Sequence, residues 1–149
     1  MTITRERRTV KRLTDPDRYD LGRLSYAERL WLWRHRHPGA HATGKRKHAL
    51  TQREAAARFG LRIAAYLQLE NGERTRLNAD EIARLQPALV ELAPTTGELC
   101  FLARRRSGRT LNELEVALLV SRPTLLGLER AGDPRVVWFW REVGFRFPP

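Results

Sequence analysis

The sequence predicts an all-α protein that contains the same two-helix unit twice. Residues 51–72 read TQREAAARFGLRIAAYLQLENG and are called copy one; residues 110–132 read TLNELEVALLVSRPTLLGLERAG and are called copy two. A shift of 59 residues, from position 51 to position 110, aligns several identical residues, among them Thr51 with Thr110, Glu54 with Glu113, Leu69 with Leu128, and Glu70 with Glu129. An internal repeat of this kind indicates that one supersecondary unit is used twice.

Local signals in copy one predict two short helices joined by a sharp turn. Thr51 and Glu54 have the spacing of a capping box, in which a hydroxyl and a carboxylate bind the free backbone N–H groups at a helix start. Gly60 predicts the end of this helix, because glycine adopts left-handed backbone at little cost. Asn71 and Gly72 form a turn dipeptide that predicts the end of the second helix.

Copy two carries the same signals in a weaker form. Thr110 and Glu113 repeat the capping box, and Ser121 is a preferred residue for the start of the second helix. Pro123 is compatible with that helix, since the N–H groups of the first turn have no acceptor within the helix. Leu119 stands where copy one has Gly60, so the turn of copy two matches less well.

Copy one resembles the helix-turn-helix of the lambda-repressor-like (Cro/CI) family. The resemblance rests on Gln52, on the Ala-rich interior of the first helix, on Gly60 and on the closing residues 69–72. It implies that Gln52 and Asn71 bind DNA phosphates. It also implies that the following residues face the bases of the major groove: Arg62, Ile63, Ala64 and Gln68. Neither Ile63 nor Ala64 can hydrogen-bond a base edge. We therefore expect copy one to contribute more to DNA affinity than to recognition of the base sequence.

Copy two differs from copy one at the positions that the resemblance assigns to base contacts. Residues 121–124 (Ser121, Arg122, Pro123 and Thr124) are similar to the start of a recognition helix in this family. Arg122 would bind a guanine through two hydrogen bonds, and Thr124 would meet a base or a phosphate. Arg130, in the position of Asn71, is a candidate phosphate ligand. The alternative is that copy two serves as a helical packing or dimerisation element.

The charge of the chain supports nucleic acid as the partner. The 28 Lys and Arg residues outnumber the 17 Asp and Glu residues, which leaves a formal net charge of +11. Such an excess attracts phosphates through a salt-sensitive field that is independent of base sequence. Within the long loop PGAHATGKRKH, we expect Lys45, Arg46 and Lys47 to contact the DNA backbone. The alternative for this loop is a solvated segment without a partner.

The remaining segments predict the domain organisation. We expect a flexible basic arm over residues 1–20, a first helix-turn-helix domain over residues 21–94 and a second, more divergent one over residues 95–149. The second domain should open with a helix over residues 96–106 whose three arginines, 104–106, point outward. It should close with a helix that starts at Asp133 and Pro134. In that helix, Trp138, Phe139 and Trp140 either complete the core or face another subunit.

Several other classes of function are disfavoured by the sequence. No apolar run approaches the length of a membrane span, and the N-terminus lacks the apolar stretch of a signal peptide, so we expect a cytoplasmic, nucleoid-associated protein. The single cysteine, Cys100, excludes an internal disulfide. Four histidines lie close together, but no acid or thiol accompanies them as in a structural zinc site. These histidines are His35, His37, His41 and His48. With no paired nucleophile and base and no Gly-rich phosphate loop, we expect neither an enzyme nor a bound cofactor or metal.

Together these observations predict a transcriptional regulator of bacterial or phage-like type that binds double-stranded DNA, with a homodimer left open. The alternative is a protein-interaction module or an antitoxin that docks RNA polymerase, a sigma factor or another protein. In that alternative, Ile63, Ala64 and Leu67 would form the docking face. Steep loss of duplex binding with added salt would favour the regulator.

Overall fold

The structure is a computed structural model that describes residues 16–37 and 49–149. The described residues are α-helical, with no extended strand. After a short 3₁₀ turn at Pro16–Tyr19, they form nine α-helices: α1 (Tyr26–Arg36), α2 (Gln52–Phe59), α3 (Ile63–Glu70), α4 (Ala79–Arg84), α5 (Gln86–Leu89), α6 (Thr96–Ser107), α7 (Leu111–Leu118), α8 (Arg122–Ala131) and α9 (Pro134–Val143). The fold class is therefore all-α, as predicted.

The helices belong to two compact units. Unit 1 contains the described residues from Ser25 to Ala93, and unit 2 contains residues 16–24 together with Pro94–Pro149. This division differs from the expected one, because residues 16–20 were assigned to an arm and residues 21–24 to the first domain. Residues 1–15 of the expected arm lie outside the described part of the chain. Unit 1 is thus inserted in sequence between two parts of unit 2.

Unit 1 packs α1 against α3 and α5, and α2 against α3. Its core joins Leu30 of α1 to apolar residues of α2, α3 and α5 and to Leu85, which lies between α4 and α5. These core residues are Ala55, Ala56, Phe59, Tyr66, Leu69, Leu85 and Ala88. The start of α1 is fixed by the capping box predicted from the sequence: the backbone N–H of Glu28 donates to Ser25, and that of Ser25 donates to Glu28. α1 therefore begins where the sequence predicts.

In unit 2, α6 lies against α8, α9 and the 3₁₀ turn, and α8 also contacts α7. The contact between α6 and α8 is very close at Gly97, where an added Cβ would lie 2.1 Å from the carbonyl oxygen of Arg130. Only glycine allows the two backbones to approach in this way. In α9, Val136 and Trp140 are fully buried, whereas Trp138 is 59% exposed. The core interpretation of this helix therefore holds for Trp140 and not for Trp138.

Arg106 contradicts the expectation that the arginine run 104–106 points outward. Its side chain is fully buried. The guanidinium donates to four backbone carbonyls: Asp17 at 3.3 Å, Arg18 at 3.1 Å, Asp20 at 3.0 Å and Arg23 at 2.7 Å. A buried charge needs such hydrogen bonds to replace its hydration. Arg106 therefore ties residues 17–23 into unit 2, which explains why they do not form part of an arm.

The C-terminal residues Phe145 and Arg146 also contact this N-terminal segment of unit 2. The N–H of Leu21 donates to the carbonyl of Arg146 at 2.9 Å, and the N–H of Arg146 donates to the carbonyl of Tyr19 at 2.7 Å. The ring of Phe145 lies 5.0 Å from that of Tyr19 and 5.6 Å from that of Trp140. Residues from both ends of the described chain thus share one core in unit 2.

No helix in the part of the chain that the structure describes combines the length and the apolar character needed to cross a lipid bilayer.

Candidate nucleic-acid interface

Copy one forms two helices, α2 and α3, joined by three residues. Glu54 N–H donates to the Thr51 hydroxyl at 3.0 Å, and Thr51 N–H donates to the Glu54 carboxylate at 3.0 Å, so the predicted capping box begins α2. Gly60 ends α2 in the left-handed conformation, with φ of 69°. The turn therefore has the chemistry that the sequence predicts.

The residues expected to face bases in copy one occupy the start and the outer side of α3. Arg62, Ala64 and Gln68 are exposed. Ile63 is half-buried and packs against the core of unit 1. Three of the four candidates are therefore accessible to a partner, and Ile63 contributes to packing.

A buried ion pair fixes α3 to α1. Arg34 Nε donates to Glu70 at 2.7 Å, and Arg34 Nη1 donates to the carbonyl of Leu50 at 2.8 Å. The Tyr66 ring is buried beside this pair, and burial, followed by the negative charge of Glu70, raises the pKa of its hydroxyl. Since Glu70 lies at the end of α3, the pair sets the orientation of the helix that carries the candidate base contacts.

The two candidate phosphate ligands of copy one, Gln52 and Asn71, are hydrogen-bonded to each other, and Gln52 also hydrogen-bonds the carboxylate of Glu70. Gln52 Nε2 donates to Glu70 at 3.3 Å and to the Asn71 side chain at 3.4 Å. Asn71 is only 7% exposed, so its side chain serves first as an internal partner of Gln52. Gln52 is half-buried at the start of α2. Gln52 and Asn71 therefore connect the start of α2 to the end of α3.

Copy two forms α7 and α8, which are also joined by three residues. The N–H of Glu113 donates to Thr110 at 3.2 Å and caps α7. Leu119 ends α7 with φ of 55°, which makes it the one non-glycine residue with positive φ in the described chain. Left-handed backbone is strained for a residue with a Cβ. Copy two therefore keeps the turn of copy one at a cost in backbone strain.

The start of α8 presents a polar and exposed surface. The four candidate residues there are all exposed: Ser121, Arg122, Pro123 and Thr124. Ser121 Oγ donates to Thr124 Oγ1 at 3.0 Å. Arg130, near the end of α8, is also exposed. Every candidate DNA contact of copy two is therefore available to an outside partner.

Arg122 is held by partners within copy two. Its Nε and Nη2 donate to Glu115 Oε2 at 3.3 and 3.2 Å, and Nη2 also donates to the side chain of Asn112. Both partners lie on α7, the helix that precedes the turn. The guanidinium is therefore oriented before any ligand is bound.

Unit 2 also has an ion pair that corresponds to the one in unit 1. Arg104 Nε and Nη2 donate to the two carboxylate oxygens of Glu129 at 2.9 and 3.0 Å. Glu129 aligns with Glu70 by the shift of 59 residues, and Arg104 aligns with Arg34 by a shift of 70 residues. The pair therefore joins the first helix of each unit to the second helix of each copy.

The repeat is consequently longer than the sequence analysis indicated. The shift of 70 residues also places the capping box of Ser25 and Glu28 on that of Thr95 and Glu98. The spacing from Arg34 to Thr51 is 11 residues longer than the spacing from Arg104 to Thr110, so a single shift cannot align both parts of the repeat. A second shift, applied upstream of the loop, would have revealed it.

Some of the candidate loop and histidine residues lie outside the described part of the chain. Lys45, Arg46 and Lys47 lie there, as do His41 and His48. The other two histidines lie on and just after α1: His35 stacks on Trp31 with ring centroids 3.5 Å apart, and the ring of His37 lies 4.1 Å from that of Trp33. In residues 16–37 and 49–149, no three His, Cys, Asp or Glu side chains gather as metal ligands would.

No protein-family model matches the chain, and neither a curated protein nor a solved structure matches it.

Proposed function

We propose that this protein is a sequence-specific regulator of transcription that binds double-stranded DNA through two helix-turn-helix units of the lambda-repressor-like kind. The observation that carries the proposal is the repeated buried ion pair, Arg34 with Glu70 and Arg104 with Glu129. In each unit, the pair fixes a short helix that keeps an exposed side, with Ala64 and Gln68 in α3 and Arg122 and Thr124 in α8. Helices held in this way are suited to enter the major groove.

The charge distribution supports DNA as the ligand. The chain has a formal net charge of +11, and a basic protein is drawn to the phosphate backbone by release of counterions. In copy one, Arg62 and Gln68 are the polar side chains exposed on the recognition helix. In copy two, Arg122 and Thr124 have this role. Loop residues Lys45, Arg46 and Lys47 add phosphate contacts in the same proposal.

The two copies contribute differently to DNA affinity and to recognition of the base sequence. Arginine reads guanine through two hydrogen bonds, whereas alanine and isoleucine offer at most contact with a thymine methyl. Copy two, with Arg122, is therefore the better reader, and copy one, with Ala64 and half-buried Ile63, mainly adds affinity. One chain should recognise two unlike subsites, and a simple palindrome is expected only if the chain also dimerises.

A second candidate function is docking to a protein such as RNA polymerase, a sigma factor or the target of an antitoxin. The observation in its favour is the pair of exposed apolar residues at the turn of copy two, where Val116 is 74% and Leu119 is 89% exposed. The two functions are compatible, since a regulator bound to DNA can also touch polymerase.

Duplex binding measured by fluorescence anisotropy at several salt concentrations tests the proposal. We expect affinity to fall steeply with salt, by about 0.9 log units per tenfold change in salt for each phosphate contact. Replacing Lys45, Arg46 and Lys47 by alanine should flatten this dependence. Binding that is insensitive to salt, or absent while a protein partner still binds, would overturn the proposal in favour of the docking function.

Nuclease footprinting of the full chain on selected duplexes then tests sequence reading. We expect Arg122→Ala to reduce preference for the selected site by about 5- to 150-fold and to leave binding to unrelated duplexes nearly unchanged. Arg141→Ala, an exposed arginine on α9, is the matched control for loss of one positive charge. Full preference in the Arg122 variant would show that copy two is not the reader.

A further inference from the structure

We propose that Glu115 is a positioning residue for DNA reading, because it holds one edge of the Arg122 guanidinium so that the opposite edge is presented to a guanine. The inference rests on the proposed function and assigns a specificity role to a residue that does not itself touch DNA. It begins from the contacts of Arg122 in copy two.

Glu115 occupies one defined edge of the guanidinium. Its Oε2 accepts from Arg122 Nε at 3.3 Å and from Nη2 at 3.2 Å. A guanidinium carries five N–H donors in a planar fork, so these two bonds leave Nη1 and the second hydrogen of Nη2. Those two nitrogens form the end of the fork, which matches the O6 and N7 acceptors of guanine.

Asn112 marks the place that the base would take. Its side-chain oxygen accepts from Arg122 Nη2. Since Glu115 takes one hydrogen of Nη2, the hydrogen left for Asn112 is the one at the end of the fork. An amide oxygen and the O6 of guanine are both neutral acceptors, so the base can replace Asn112 without leaving a donor unpaired. The carboxylate of Glu115, by contrast, stays in place behind the guanidinium.

The comparison between the two copies supports the same assignment. The residues of copy one that align with Asn112, Glu115 and Arg122 are Arg53, Ala56 and Ile63. Ala56 is fully buried in the core of unit 1, as expected for a small residue at this position. The carboxylate therefore replaces a core alanine in the copy that carries the arginine reader, and the two residues contact each other.

Glu115 should have two opposite effects on binding. By holding Arg122 in one orientation, it reduces the freedom that the side chain loses when it binds a base, which favours recognition of the correct base. By adding a negative charge near the phosphates, it weakens binding to every sequence. Its removal should therefore lower preference without lowering general affinity, a combination that a purely structural role would not produce.

The experiment uses the full-length chain and a duplex that the wild-type protein selects from a random pool, together with versions carrying 7-deazaguanine at each guanine in turn. We expect Glu115→Ala, which introduces the residue of copy one, to reduce the preference for guanine over 7-deazaguanine by about tenfold at one position. Affinity for an unrelated duplex should stay equal or rise. Glu115→Gln, whose amide oxygen still accepts from Arg122, should retain part of the preference and also serves if the alanine variant folds poorly.

Two controls separate positioning from charge and from folding. Glu142→Ala removes one exposed carboxylate from α9 and should leave the preference for guanine unchanged. In an Arg122→Ala background, replacing Glu115 should have no further effect on preference, because the two residues act as one unit.

The possible outcomes are distinct. A preference that is unchanged in Glu115→Ala, or affinity that rises equally for selected and unrelated duplexes, overturns the positioning role while the proposed function stands. The second of these results would mean that Glu115 only competes with DNA for Arg122. If the wild-type chain shows no salt-dependent duplex binding at all, the proposed function fails and the positioning role fails with it.

Discussion

Arg104 and Glu129 form a two-point ion pair in unit 2, with both carboxylate oxygens accepting from the same guanidinium. Glu129 is nearly buried, and Arg104 is only slightly more accessible. Their counterparts in unit 1, Arg34 and Glu70, share this environment. Each pair is the polar contact that connects the first helix of its unit to the helix proposed to enter DNA.

The first prediction concerns these pairs. Glu129→Gln should destabilise unit 2 by about 3–5 kcal/mol, because loss of one partner leaves a buried charge without compensation. Replacing both residues together, as in Arg104→Met with Glu129→Leu, should cost less than the single change. Glu70→Gln is the matched control, because it should affect unit 1 instead.

The single cysteine provides the measurement for unit 2. Burial raises the pKa of the Cys100 thiol to about 12, and the side chain is fully buried in α6. A thiol in this state reacts with alkylating reagents only after local or global opening. Labelling of Cys100 in increasing urea should therefore report unfolding of unit 2. Equal labelling curves for the wild type and Glu129→Gln would contradict the first prediction.

The second prediction is that Leu119→Gly stabilises unit 2 by about 0.5–1 kcal/mol. Left-handed backbone costs a residue with a Cβ about 1–2 kcal/mol, and the greater freedom of glycine in the unfolded chain offsets part of the gain. Leu119 is almost fully exposed, so no packing is lost. Gly108→Ala is the matched control, since an added Cβ there meets nothing within 4 Å and should show the cost of left-handed backbone alone. A Leu119→Gly variant less stable than wild type in the Cys100 assay would show that the side chain has an unrecognised contact.

The third prediction is that Arg106 and residues 16–24 stabilise unit 2 jointly. Arg106→Ala should destabilise it by about 3 kcal/mol or more, because several carbonyls lose their donor at once. A chain that starts at residue 25 should expose Cys100 to labelling under native conditions while unit 1 stays folded. Arg109→Ala, a change of an exposed arginine after α6, should have little effect. Protection of Cys100 in the shortened chain would mean that unit 2 does not need this segment.

The fourth prediction concerns acid. The side-chain hydrogen bonds from Arg74 hold the pKa of Glu81 below its usual range. A carboxylate with a lowered pKa in the folded state contributes stability above its unfolded pKa and loses it as the pH falls through the folded value. The free energy of unfolding of unit 1 should therefore fall from neutral pH towards pH 3, and less so in Glu81→Gln. Urea unfolding followed by tryptophan fluorescence across this pH range checks the prediction, with Asp80→Asn as the control. Identical pH profiles for the wild type and Glu81→Gln would contradict it.

The sequence predicted local structure well because local structure depends on residues that are close in the chain. The capping boxes at Ser25 and Thr51 and the left-handed Gly60 each depend on residues a few positions apart, and they lie at the helix ends where the sequence predicts them. At Thr110 only one half of the predicted box is formed, in which the Glu113 N–H donates to the Thr110 hydroxyl. The helix after residue 95 and the helix after Asp133 were predicted for the same reason.

The parts that could not be predicted depend on contacts between residues that are distant in the chain. Arg106 was expected outside because a run of three arginines usually lies in water. Its acceptors are more than 80 residues away, and backbone carbonyls carry no mark in the sequence. Arg122 was predicted as a base reader, but its partner Glu115 was not predicted, since only the turn brings Glu115 next to it. In both cases, the sequence does not show which hydrogen-bond partner the fold brings next to the arginine.

The insertion of unit 1 within unit 2 has a consequence for synthesis on the ribosome. Chains grow from the N-terminus, and domains tend to fold as they emerge. Residues 16–24 leave the ribosome before Ser25–Ala93 of unit 1, whereas their partners Arg106 and Arg146 follow after it. Unit 1 can therefore complete its core before residues 16–24 meet their partners in unit 2. When unit 2 finally folds, residues 16–24 pair with residues that follow unit 1. Because unit 1 is already folded, the segment between these partners acts as a shorter loop than its number of residues suggests.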